Sequence, residues 1–123
     1  MIAHTSLAAS DYVKAKKFYV HILGPLGYSV KMEYEGSAGF NDGKNTDFWL
    51  MEKKEGANKT HMAFEAKNKK EVDDFYTTAL ASGGKDNGAP GYRKEYWPGY
   101  YAAFIFDPEG NNIEAVFYDY DEK

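Results

Sequence analysis

The sequence predicts an α+β chain built from two βαβββ modules whose mixed sheets pair around a cleft. Three observations lead there. The pattern repeats with a shift of 57 residues: His4 falls on His61, Phe18-Tyr19 on Phe75-Tyr76, Leu23 on Leu80 and Gly27 on Gly84. An ungapped repeat of this length sets the architecture before any single element does. Each half carries apolar residues at helical spacing, namely Ala15, Phe18, Tyr19, Ile22 and Leu23, then Val72, Phe75, Tyr76, Ala79 and Leu80. The chain closes on a strand–turn–strand pattern, Tyr100 to Phe106 and Asn112 to Tyr118, about Asp107-Pro108-Glu109-Gly110-Asn111. Pro108 presets φ at the first corner, and Gly110 supplies a positive φ.

The elements follow in order. Residues 1 to 8 read as a strand with Ile2, His4 and Ser6 on one face. Ser10 is the expected N-cap of the first helix, which Gly24-Pro25 should stop. Tyr28 to Tyr34 reads as a strand, Gly36 to Gly39 as a turn and Ala38 to Asn41 as a short strand. Asp42-Gly43 is a hairpin signal before the strand Thr46 to Glu52. The modules are thus residues 1–52 and 61–123 of a single domain, joined by a polar connector, 53–60. In the second module His61 to Glu65 is a strand, and Asn68 with Glu71 forms a capping-box pattern. Gly83-Gly84 ends that helix. Residues 85 to 99 read as loop-rich, with a short strand around Tyr92 to Tyr96. Neither half buries its sheet alone, so the two must pair, with their first strands near a pseudo-twofold axis.

Composition excludes several functions. Net charge is −4, with one arginine, Arg93, so no basic stripe exists to bind nucleic acid or an anionic membrane. Cysteine is absent, which removes disulfides, thiolate zinc sites and thiol catalysis. No signal pattern and no apolar run of about 18 residues occur, so a cytoplasmic protein is expected.

Glu114 stands out within Ile113-Glu114-Ala115-Val116-Phe117. A carboxylate in an apolar strand needs a partner, and no Lys or Arg lies near it in sequence. His4 and His61, both in apolar strands, are the candidates. Two imidazoles and a carboxylate suit iron(II), manganese(II), nickel(II) or zinc(II) and leave coordination positions open. The repeat sets Trp49 at the place that Glu114 holds in the second half. Trp49, Tyr96, Trp97, Tyr100 and Tyr101 are expected to shape a pocket. A tyrosine beside a cation would have a lowered pKa and could serve as acid or donor. Tyr101, which alternates with Ala103 and Ile105, is the first choice. Arg93 reads either as a bidentate anchor for a substrate carboxylate or as a solvated surface charge. Phe18, Tyr19, Phe75 and Tyr76 read as core.

A repeated βαβββ module with a histidine opening each half and an Asp-Pro-Glu-Gly-Asn-Asn-Ile-Glu ending resembles the vicinal oxygen chelate superfamily. This group comprises glyoxalases, bleomycin-resistance proteins, fosfomycin-resistance enzymes and extradiol dioxygenases. The resemblance covers nearly the whole chain and implies the glyoxalase/bleomycin resistance/dihydroxybiphenyl dioxygenase fold. It also implies one divalent metal per site on His4, His61 and Glu114, a small-molecule substrate and a homodimer. Relatives pair modules within one chain or across two, and both arrangements stay open here. The glutamate that glyoxalases carry on the last strand of the first half is replaced by Trp49. The further pocket histidine of the dioxygenases has no match, since the remaining histidine, His21, faces away from Phe18 and Ile22 on the first helix. Ser6 and Trp49 match positions in the fosfomycin enzymes, but no arginine follows Glu114. The implied activity is isomerase/lyase or dioxygenase chemistry; Glu114 and, by its place in the strand alternation rather than by the resemblance, Tyr101 are the expected reacting groups. The alternative is a protein that sequesters a small molecule, as bleomycin-resistance proteins do.

Overall fold

The computed structural model describes residues 2–55 and 59–122. The first module is β1 (Thr5–Ala9), α1 (Tyr12–Leu23), a 3-10 turn (Gly24–Leu26), β2 (Ser29–Tyr34), β3 (Ser37–Asn41) and β4 (Thr46–Glu52). The second is β5 (His61–Glu65), α2 (Lys69–Ala81), β6 (Lys85–Tyr92), β7 (Tyr100–Phe106) and β8 (Asn112–Tyr118). Each module is a four-stranded mixed sheet, ordered β1-β4-β3-β2 and β5-β8-β7-β6. The repeat holds at the level of register. Ser6 pairs with Trp49 across parallel β1 and β4, and Ala63 pairs with Glu114 across parallel β5 and β8. Trp49 and Glu114 therefore occupy equivalent places. Among the described residues no helix is long and apolar enough to cross a membrane.

Several boundaries differ from the sequence expectation, each for a local reason. The first strand begins at Thr5, so His4 precedes it; Met1 lies outside the described residues. Asp11, not Ser10, caps α1 by accepting from Lys14 N at 3.2 Å, while Ser10 is engaged with the second module. Gly24-Pro25 ends α1 at Leu23 as expected, but a 3-10 turn with proline in its first positions carries the chain on. The stop is Gly27, at φ 88°. Gly39 lies inside β3 rather than in a turn, and the Trp49 ring covers it. The loop-rich stretch contains a true strand, β6. It is an edge strand, and two register irregularities absorb Gly88 and Pro90, which a central strand would reject. The predicted connector falls partly on residues 56–58, outside those described.

The modules meet through their helices and the apolar layer beneath them. α1 packs on α2, and α2 also contacts the 3-10 turn. Phe48 of β4 meets Phe64 of β5 edge-on, with ring centroids 5.2 Å apart. The closing turn is the second fastening. Asp107, buried at 4 % exposure, accepts from Glu109 N, Asn111 N, the Asn111 side chain and the Tyr19 hydroxyl at 2.5 Å. Burial, and then the Asp107 charge and hydrogen bond, push the Tyr19 hydroxyl well above its ordinary pKa, so it remains a donor. Glu109 reaches the start of α1 and accepts from Ser10 N, Ser10 Oγ and Asp11 N at 2.9 to 3.2 Å. A carboxylate at a helix N-terminus is favoured by the helix dipole. The two sheets do not hydrogen-bond to each other: β1 and β5 each have a strand neighbour on one side only. Between them runs a cleft of about 1030 Å³ along β5, lined by His4, Thr5, Tyr28 and His61 to Lys67 among others.

Candidate metal centre

Strand alternation divides sheet β5-β8-β7-β6 into two faces. Ile113, Ala115, Ala103 and Ile105 are wholly buried on the side that α2 covers. Glu114 pairs with Phe104, and Tyr100 pairs with Tyr118, so these four share the other face. Glu114 is only 2 % exposed. The Tyr100 hydroxyl donates to its Oε2. Its Oε1 lies 3.1 Å from His61 Nε2. Among the described residues no lysine or arginine pairs with it.

The contact of its other nitrogen orients the His61 ring. Nδ1 lies 3.0 Å from the Asn112 carbonyl, which can only accept, so Nδ1 carries the proton. In the neutral ring Nε2 then presents a lone pair to a carboxylate oxygen. Two lone pairs at 3.1 Å repel unless a proton or a cation lies between them. Bonds of about 2.1 Å to a shared ion, at angles between octahedral and tetrahedral, separate two ligand atoms by about 3.0 to 3.4 Å. The donor set and spacing therefore fit a divalent ion. The backbone carbonyl behind the imidazole is also the usual support of a metal-binding histidine.

His4 lies apart from this pair. It is exposed, one residue ahead of β1, and lines the same cleft as His61. Among the described residues no three His, Asp or Glu side chains stand close enough to hold one ion. Ser6 and Trp49 sit on the other sheet, where Trp49 stacks on Tyr34 at 12°. The choice of Tyr101 as reacting group does not survive its placement: it lies on the α2 side, donating to Asp73 at 2.6 Å. Burial, and then Asp73, raise its pKa to about 12. Tyr100 is the tyrosine beside Glu114. Its pKa is raised rather than lowered, by burial first and then by the Glu114 hydrogen bond and charge, so it is held as a donor. Tyr96 and Trp97, 59 % and 48 % exposed, pack edge-on against Tyr100 and Tyr118 and extend the aromatic wall. Arg93 follows β6 directly and stacks its guanidinium 5.4 Å from the Phe104 centroid.

A sequence profile of the Glyoxalase/Bleomycin resistance protein/Dioxygenase superfamily matches residues 1–115. The chain belongs to this superfamily. Solved structures agree on the fold. A glyoxalase/bleomycin resistance protein from Albidiferax ferrireducens is 24% identical with a TM-score of 0.78, covering 94% of this chain and 96% of that one. A family enzyme from Burkholderia phytofirmans is 20% identical with a TM-score of 0.74, covering 95% and 98%. The lactoylglutathione lyase from Agrobacterium tumefaciens is 26% identical with a TM-score of 0.71, covering 95% and 92%. No curated protein matches the sequence.

Two contributors escaped the sequence reading. Asn112 fixes the His61 tautomer through its main chain, which no side-chain pattern announces. Phe104 was legible: a hairpin closed by Asp107 to Asn111 sets it directly opposite Glu114.

Proposed function

We propose that the chain is a subunit of a metal-dependent enzyme that chelates a small oxygen-rich or aromatic substrate, with isomerase/lyase or dioxygenase chemistry. The observation that carries this reading is the 3.1 Å approach of Glu114 Oε1 to Nε2 of His61, whose Nδ1 is turned to the Asn112 carbonyl. His61 and Glu114 would hold iron(II), manganese(II), nickel(II) or zinc(II), and such an ion supplies Lewis-acid polarisation of a substrate oxygen. The remaining work falls to the chain. Tyr100 fixes one carboxylate oxygen and leaves the other for the ion. Tyr96, Trp97 and Tyr118 form an aromatic wall that excludes water from a planar substrate.

The third donor in this reading is His4 of a second copy in a homodimer. Both β1 and β5 leave a row of backbone groups unpaired, which favours pairing with another chain. On the Trp49 face of the first sheet, Met32, Tyr34 and Met51 are 41 %, 59 % and 41 % exposed and lie side by side, an apolar strip that a second subunit could cover. Laying β1 of one subunit along β5 of the other covers both edges and brings the equivalent histidines of the repeat together.

Mixing tests this directly. Neither His4→Ala nor His61→Ala alone should take up cobalt(II) tightly. Refolding them together forms heterodimers with one intact site and should recover about a quarter of the wild-type sites. No recovery, with both variants folded, would refute the shared site. Binding of planar molecules by chelator-treated wild type, with no gain on adding metal, would favour the sequestering alternative.

A further inference from the structure

Arg93 is the only arginine in the chain, and its placement is specific. Nη1 donates to the Gly91 carbonyl and Nη2 to the Ala89 carbonyl, each at 2.8 Å. These bonds occupy two of the five donors that a guanidinium offers. Among the described residues no carboxylate pairs with it, so its charge is oriented but not neutralised. The glycines of β6 make the room. A Cβ on Gly88 would stand 3.1 Å from Nη2, and one on Gly91 would stand 3.2 Å from Nη1. Gly88 pairs with Phe104, and Phe104 pairs with Glu114. The guanidinium therefore lies on the Glu114 face, two strands from Glu114. Two strand spacings of about 4.8 Å put it roughly 10 Å from the carboxylate column. Phe104 lies between, in contact with Arg93 on one flank and, with ring centroids 6.4 Å apart, with His61 on the other.

We propose that Arg93 is an anion anchor: it binds a carboxylate that the substrate carries roughly 10 Å from the oxygens meeting His61 and Glu114, with an apolar segment over Phe104 between them. The spacing rests on the metal-centre reading; the anchor itself does not. A guanidinium whose remaining donors point away from the β6 carbonyls can grip a carboxylate with two parallel bonds, a geometry that lysine cannot copy. A role confined to stitching the bulged strand would use the two carbonyl bonds alone and would not discriminate between anionic and neutral ligands.

A single arginine gives a single Nε–Hε signal in the nitrogen–proton spectrum, so the site reports on itself. Metal-free, isotope-labelled protein would be titrated with phenylpropanoate and with its neutral isostere, phenylpropanamide. The anchor predicts a saturable shift of the Arg93 signal with the carboxylate and binding roughly tenfold tighter than that of the amide. In Arg93→Met, followed through the backbone signals of β6 and β7, that preference should vanish while amide binding persists. An Arg93 signal that ignores the carboxylate, or moves equally with both compounds, overturns the anchor, and this wild-type measurement needs no variant to fold. A second arm uses dihydroxyphenylpropanoate and its amide on the protein with and without zinc(II). Tightening of both by zinc is expected. Its absence would refute the metal centre and the spacing, while the carboxylate preference would still stand or fall alone.

Discussion

Replacing Tyr100 by phenylalanine removes a single hydroxyl from the partners of a carboxylate that is 2 % exposed. The ring and its edge contacts with Tyr96 and Tyr118 remain, so the change isolates one hydrogen bond. A hydrogen bond to a charged group contributes about 1.5 to 3 kcal/mol, and a buried acceptor left unpaired lies at the upper end. Unfolding entropy of about 2.1 cal/mol/K per residue gives roughly 0.26 kcal/mol/K for this chain. Metal-free Tyr100→Phe should therefore melt about 6 to 12 °C below wild type in calorimetry. Tyr96→Phe, at an exposed ring, is the control and should shift by no more than about 2 °C. Cobalt(II) affinity should fall roughly 10- to 100-fold in Tyr100→Phe, because Glu114 loses the contact that orients it. A melting temperature within about 1 °C of wild type, with unchanged cobalt(II) affinity, would refute the role assigned to Tyr100.

Three further outcomes follow from named contacts. Tyr101→Phe should lower stability through the lost Asp73 contact but leave cobalt(II) affinity within about twofold, since Tyr101 lies on the α2 side of the sheet. Gly39→Ala would set a Cβ 2.8 Å from the Trp49 ring; overpacking of this kind costs about 1 to 3 kcal/mol and should also shift the tryptophan emission. Glu109→Gln tests the fastening between the modules. Burial would raise the Glu109 carboxyl, but the Ser10 and Asp11 hydrogen bonds and the Lys59 charge outweigh it and hold it below the usual range. A depressed folded-state pKa stabilises above the unfolded value of about 4.3, and that contribution is lost as pH falls through the folded value. The melting-temperature gap between wild type and Glu109→Gln should thus be widest near neutrality and close on acidification below about pH 4. A constant gap would mean that the charge plays no part.

Much of the fold could be read from residue order because each module solves the same packing problem twice. The repeat, the Asn68 cap and the Asp107 to Asn111 turn act through short-range chemistry, and the structure places each as expected. The misreadings arose where tertiary contacts override local signals. Ser10 has the chemistry of a cap, but Glu109, distant in sequence, occupies it. Gly88 and Pro90 resemble a loop until an edge position with bulges accommodates them. At the site, parallel pairing of β5 with β8 sets Ala63 opposite Glu114 and leaves His61 Nε2 3.1 Å from the carboxylate. Period-two alternation correctly grouped Tyr101 with Ala103 and Ile105, but could not tell which face α2 covers. That assignment needs the register of Glu114 against Phe104, which the hairpin symmetry supplied and the choice of tyrosine did not use.

The most direct measurement is a cobalt(II) titration of chelator-stripped, untagged protein, followed by absorbance and calorimetry, beside His61→Ala and Glu114→Gln. Glu114→Gln keeps an acceptor for Tyr100 while removing the charge, so it separates ion binding from folding. Saturation near one ion per chain is expected in the wild type, with loss of that site in both variants. A folded wild type that takes up no ion, or variants that bind as well as wild type, would contradict the metal centre.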